Sequence, residues 1–417
     1  MPSTPPRSGS DPSTAPAADT GAGPVTYRAL LSEREFAGLY AGFTLTTAAS
    51  TLSGYALGTL VQTRTSSPLL TALSMYAGIL ATVVGALTLM SIADTDRPRR
   101  VLLALQGISL AAVAAQGVPD LPLPARFALL LLTGFFASLG TGARLGLLSE
   151  VVPAQRYALA RSLMNITSGA AAVIGFTLAA FLLRVLTPGQ VFLLCAALVG
   201  AALVVTALSV REHSVRLTRR PGLARTWATN AALMRRGDQR VLLINLWVPN
   251  GLIVGCEALF LSYDSTHAGL LLAAGAGGML AGDLIVGRFL TAGQRARAAL
   301  GLRVLLAAPF LLFAVHPPLA VSLAAVFCAS VGYAATLPLH EKLLAVTAEE
   351  VRGQVQGVES AGRMTWQGVG AVIAGVLAQG LGPAAAITAV AGLSLLITVG
   401  TAGRVRRLGS GNVQATN

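Results

Sequence analysis

The chain has 417 residues, 54% hydrophobic and only 11% charged, a balance that leaves a soluble protein of this length with too little polar surface. Its net charge of +13 invites a nucleic-acid partner. That charge is spread over short gaps between apolar stretches, where membrane topology and anionic headgroups account for it without nucleic acid.

Residues 1–27 are rich in Pro, Ser, Thr and Ala, with no basic stretch leading into an apolar core, and read as a disordered cytoplasmic tail and not a cleaved signal. Twelve apolar stretches follow, each near the ~20 residues that a helix needs to cross hydrocarbon. They fall at roughly 36–62, 69–92, 100–118, 126–148, 160–183, 190–210, 241–263, 267–290, 299–315, 318–340, 354–380 and 383–402. The longest polar interruption, 211–240, divides them six and six. The expected organisation is an all-α membrane protein: a bundle over 28–210, a cytoplasmic linker over 211–240, a second bundle over 241–403 and a tail over 404–417.

Arginines set the orientation. Arg97, Arg99 and Arg100 follow helix 2, Arg156 and Arg161 follow helix 4, and eight arginines from Arg211 to Arg240 crowd the linker. Arg28 and Arg34, Arg295 and Arg297, Arg352, and Arg404, Arg406 and Arg407 fall on the same side, whereas only Arg64, Arg126 and Arg184 lie in or beside the opposite set. The positive-inside rule therefore places both termini in the cytoplasm. Lys342 is the only lysine, a bias of GC-rich bacterial coding that points to a bacterial plasma membrane. Cys195, Cys256 and Cys328 all lie inside spans without metal-ligand spacing and read as small packing residues.

The second half repeats features of the first. Ala93-Asp94 near the end of helix 2 is echoed by Gly282-Asp283 near the end of helix 8, Glu150 and Arg156 by Glu341 and Arg352, and Ala172-Val173-Ile174-Gly175 by Ala371-Val372-Ile373-Ala374-Gly375. Two such halves build a carrier with its site at their interface. Gly38 and Gly42, Gly54 and Gly58, Gly142 and Gly146, and Gly278 and Gly282 are each four apart and line one helix face, as close packing requires. Helix 8, with Gly275, Gly277, Gly278, Gly282 and Gly287, is also a candidate for sliding or bending.

The segment from Ser91 to Arg100, Ser-Ile-Ala-Asp-Thr-Asp-Arg-Pro-Arg-Arg, resembles the loop signature of the major facilitator superfamily. Ser67 to Leu73 entering helix 2, and Glu150-Val151-Val152-Pro153 leaving helix 4, are similar to bacterial drug and natural-product exporters of that family. The resemblance covers about 30–405 and implies two pseudo-symmetric six-helix bundles, alternating access, a small-molecule substrate, exchange for protons, no cofactor and a monomer in the lipid bilayer. Two departures bear on mechanism. Gly175-Phe176 and Ala179-Ala180 stand where the antiporter signature of helix 5 carries Gly-Pro and a small Gly pair. Helix 1 reads Leu52-Ser53-Gly54-Tyr55-Ala56 where many relatives carry an acid.

Glu257 is the one carboxylate well inside a span and away from the cytoplasmic ends. An ionisable side chain at that depth needs a partner, a cavity or a proton, so Glu257 is the candidate for proton coupling or substrate contact. Asn250, Val254 and Glu257 share a side of helix 7 at spacings of four and three. Asn245 and Trp247 add polar and aromatic lining, and Pro249 a local break. Tyr40, Tyr55, Asn165, Tyr333, Trp366 and Gln367 are further cavity candidates.

A second constellation is charged and cytoplasmic: Asp94, Arg97, Arg99, Arg100, Arg144, Glu150, Arg161, Asp283, Arg288, Glu359 and Arg363. In the superfamily helices 2 and 11 face each other, so the resemblance puts Asp94 at the N-terminus of helix 11, where the macrodipole favours an anion, and by the same pattern Asp283 at helix 5 near Arg161. Glu359 and Arg363 pair along helix 11, and Arg144 takes Glu150 as its nearest carboxylate. Such a cluster holds the cytoplasmic side shut in one state and parts in the other.

Enzyme signatures are absent from the sequence: His213, His267, His316 and His340 have no HExxH spacing, and there is no nucleophile elbow and no Walker loop. The expectation is a secondary transporter driven by a gradient, exporting a small organic molecule in exchange for protons. Uptake, facilitated diffusion, or ligand sensing without transport remain as alternatives.

Overall fold

A computed structural model describes residues 26–89, 97–212 and 237–408, and every regular element among them is helical. After a short helix Tyr27–Leu31 come twelve long ones. The first six are α1 (Arg34–Thr65), α2 (Pro68–Leu89), α3 (Pro98–Gln116), α4 (Leu123–Val151), α5 (Ala154–Val185) and α6 (Pro188–Ser209). The second six are α7 (Gly237–Ala258, continued by Phe260–Tyr263), α8 (Ala268–Leu284), α9 (Ala292–Ala307), α10 (Leu319–Val331, resumed at Thr336–Ala345), α11 (Arg352–Leu381) and α12 (Pro383–Arg407).

Eleven of the twelve are long and apolar enough to cross a membrane, and α1 is not among them. Its hydroxyls lower its hydropathy, yet Thr44, Thr46, Thr47, Thr51, Thr59 and Thr63 each donate to a carbonyl three or four residues back. Polar atoms satisfied inside the helix cost little when the helix is buried among others. α5 and α9 begin several residues earlier than their apolar stretches, because their first turns are polar and basic. Thr291 closes a capping box with Gln294 at the start of α9, as Thr187 does with Gln190 at α6, satisfying amides that the helix itself leaves free.

Helix α7 does not break at Pro249 as expected; the proline lies within one helix, and its carbonyl accepts from Ser394 on α12. Irregularity lies in its neighbours. α8 ends in a π-helical turn, Ile285–Phe289, α9 continues as a 3-10 helix over Ala308–Val315, and α10 is interrupted by 3-10 residues Gly332–Ala335.

The chain forms two six-helix halves, α1–α6 and α7–α12, that touch through α2 against α11 and α5 against α8. These two contacts exchange under a shift of six helices, which is the pseudo-symmetry that the internal repeats predict. A buried polar knot recurs likewise. Gln106 on α3 donates to Thr206 on α6 in one half, and Arg303 on α9 donates to Thr401 on α12 in the other. Within the second half α7 and α11 cross with backbones in contact: a Cβ at Gly251 would strike the Trp366 carbonyl, and one at Gly370 the Gly251 carbonyl. Gly278 and Gly282 lie as closely on the α10 backbone at Phe327 and Val331, so the glycines of α8 serve packing inside this half.

Candidate functional site

One end of the bundle carries Arg97, Arg99, Arg100, Arg156, Arg295 and Arg404 and is here termed the basic face. At the opposite face hydrogen bonds tie the halves together. Gln62 on α1 accepts from Thr71 on α2 at 2.8 Å and, across the interface, from Ser262 at the end of α7 at 2.7 Å. Gln379 on α11 donates to Ser67 at 3.1 Å. Below these ties Leu80 fills the space beside Gly368, Leu69 and Ala72 face Gly375, and Ala180 and Phe176 face Gly269.

A cavity of about 510 Å³ lies between the halves. Tyr76 of α2 and Ala172 and Phe176 of α5 line it on one side, and α7, α8, α10 and α11 on the other. Asn250, Val254 and Glu257 of α7 all face it, as their spacing predicts. Glu257 is only 5% exposed, and its Oε1 has no hydrogen-bond partner. Tyr333 also faces the cavity with an unpartnered hydroxyl, brought there by the 3-10 turn in α10. Gln367 lines it from α11, and Asp283, His340 and Arg363 mark its side toward the basic face, where Asp283 is exposed.

The remaining pocket candidates lie elsewhere. Asn245 is buried inside the second half, where its Oδ1 accepts from Arg303 and from Thr401 (2.7 Å). Trp247 is buried too, its indole donating to the Glu359 carbonyl. Trp366 packs its backbone on Gly251, Tyr55 packs on Phe176 and beside Gly269 at the interface, Tyr40 bonds Thr167, and Asn165 is exposed on α5. None of these lines the cavity.

The charged cluster is not assembled as one gate among the described residues. Asp94 lies outside them. Arg99 donates to the carbonyls of Ala207 and Val210, Arg100 pairs with Glu212 and Arg156 with Glu33, all inside the first half. Arg144 does not pair with Glu150: its guanidinium lies 4.8 Å from the centre of the Phe43 ring, while Glu150 is exposed. Arg97, Arg161 and Arg288 are exposed, and Asp283 forms no ion pair with Arg161. In the second half Arg295 pairs with Glu341, and Arg363 with Glu359 at 3.1 Å along α11 as predicted. No named pair bridges the halves.

Two residues that sequence reasoning missed join this picture. His340 Nε2 lies 3.0 Å from the second oxygen of Glu359, and its Nδ1 lies 3.0 Å from the Thr336 carbonyl, so both ring nitrogens face acceptors, an arrangement that a doubly protonated ring satisfies in full. The His340 ring and Arg363 thus share one carboxylate at the cavity rim. Arg303, 3% exposed, is the other; an arginine near the start of a predicted span gave no sign that it turns inward.

Two pseudo-symmetric helical halves around an interfacial cavity define the architecture of solute carriers. Residues 39–263 match the family model of the Major Facilitator Superfamily, and the chain belongs to that family of transporters. No curated protein matches it in sequence. Among solved structures, a point mutant of the nucleoside transporter NupG has a TM-score of 0.74 at 13% identity, covering 88% of this chain and 99% of that one. A POT family transporter in complex with a thioalcohol-conjugated peptide gives 0.72 at 11% identity, with coverage of 90% and 96%. A bacterial homologue of the human lysosomal transporter Spinster, inward-facing and unoccupied, gives 0.61 at 13% identity, with coverage of 93% and 97%. At these identities the likeness is one of fold.

Proposed function

We propose that this protein is a proton-coupled exporter of a small organic molecule, working by alternating access as a monomer in a bacterial plasma membrane with both termini in the cytoplasm. The observation that carries the reading is the interfacial cavity, tied shut at one face and bearing at its depth a carboxylate with no partner. Glu257 takes and releases the proton, since the middle of helix α1 offers no acid and α7 holds its carboxylate where water is nearly excluded. The basic face is cytoplasmic, so the conformation described is the inward-open one. Asn250, Tyr333 and Gln367 contact substrate, and the Glu359, His340 and Arg363 cluster senses the state of the cytoplasmic rim.

Spin labels test this without a known substrate. One pair, at Ser149 and Glu349, spans the halves at the basic face; another, at Asp120 and Leu381, spans them opposite. Electron–electron distances should change in opposite senses between pH 5 and pH 8, and Glu257→Gln should abolish that response. A single distance distribution at every pH sinks proton-linked alternating access.

A further inference from the structure

Charge is unevenly placed around the cavity. The first half contributes Tyr76, Phe176 and a methyl group, and every carboxylate and base comes from the second. Glu257 and Asp283 form no ion pair among the described residues, whereas both basic groups at the rim, Arg363 and His340, already face Glu359. With Glu257 and Asp283 ionised, the three carboxylates Glu257, Asp283 and Glu359 outnumber Arg363 and a protonated His340 by one charge. A carboxylate stripped of water is costly unless a positive charge joins it, which a proton does in the empty carrier and a bound cation can do in the loaded one. Glu257 lines the cavity, while its Oε1 is buried against α8, 3.6 Å from where a Cβ on Gly275 would stand. Tyr76, Tyr333 and Phe176 line the same cavity, and aromatic rings are surroundings that organic cations favour. Its volume of about 510 Å³ suits a small organic molecule.

We infer that the solute is an organic cation with an aromatic body, drawn in past Asp283 and seated with its positive charge on Glu257. This rests on the carrier reading above and adds the substrate class. Anionic and neutral solutes of the same shape lack the charge that Glu257 requires.

A matched series tests it: 1-methyl-4-phenylpyridinium, neutral 4-methylbiphenyl and anionic biphenyl-4-carboxylate, titrated calorimetrically into the detergent-purified full chain at pH 8. The cation should bind at least about tenfold more tightly than the neutral isostere, and the anion should give no saturable heat. In Glu257→Gln the preference for the cation should fall to within about twofold. Equal or tighter binding of the neutral or anionic compound to the wild type overturns the inference, whatever the fate of the variant. So does a preference unchanged in Glu257→Gln. Glu257-dependent cation binding alongside spin-label distances that never change leaves this inference standing and removes the carrier reading; changing distances with no cation preference do the reverse.

Discussion

Glu257 was legible because it is the one acid deep in an apolar span, and the spacing of Asn250, Val254 and Glu257 gave its face. Asn245, on the same helix, was misread as cavity lining. Helix α7 is enclosed on nearly every side, 89% of its most apolar window being buried, so polarity along it cannot say which side faces ligand. Asn245 instead supplies the acceptor for a buried arginine. Asn245→Ala should cost about 3 kcal/mol, because Arg303 is left buried with only Thr401, while Arg303→Met should be close to neutral. Thermal unfolding in detergent checks both, and equal losses would mean that the knot is not where the cost lies. Arg126 broke the positive-inside pattern for a related reason. It is 1% exposed and donates to the carbonyls of Gln116, Val118 and Leu121 in the turn before α4, so its charge is consumed by the fold. Arg126→Ala should destabilise by about 2–4 kcal/mol through the carbonyls left unsatisfied; an unchanged unfolding temperature would contradict this.

At the scale of elements, the pairing of Glu359 with Arg363 followed from their four-residue spacing on one helix, whereas His340 reaches them from α10 and no local pattern announces a partner across helices. The tie is complete only while the imidazole holds both protons, so it loosens as pH rises. His340→Gln should flatten the alkaline side of the pH dependence of transport, and an unaltered profile would remove His340 from the mechanism. The latch at the opposite face was invisible in sequence because Gln62, Thr71 and Ser262 are ordinary polar residues at helix ends. Gln62→Ala removes one hydrogen bond across the interface, at about 1 kcal/mol, and so should shift the equilibrium toward the state open at that face about fivefold. Cysteine accessibility at Leu69 should rise accordingly; unchanged labelling would show that packing alone holds the face shut.

For the whole molecule, hydropathy and arginine placement predicted the helix number and the six-and-six division, since crossing hydrocarbon fixes both length and backbone pairing. How the halves meet was not readable from single spans. It depends on which small residues of α2, α5, α8 and α11 find each other, and each helix offers several such faces. The most direct test of the account is uptake of 1-methyl-4-phenylpyridinium by proteoliposomes, acid inside, with membrane potential clamped. Accumulation above equilibrium, abolished by nigericin and by Glu257→Gln, is the predicted result. Uptake no greater than in protein-free vesicles, or equal in the wild type and Glu257→Gln, would contradict it.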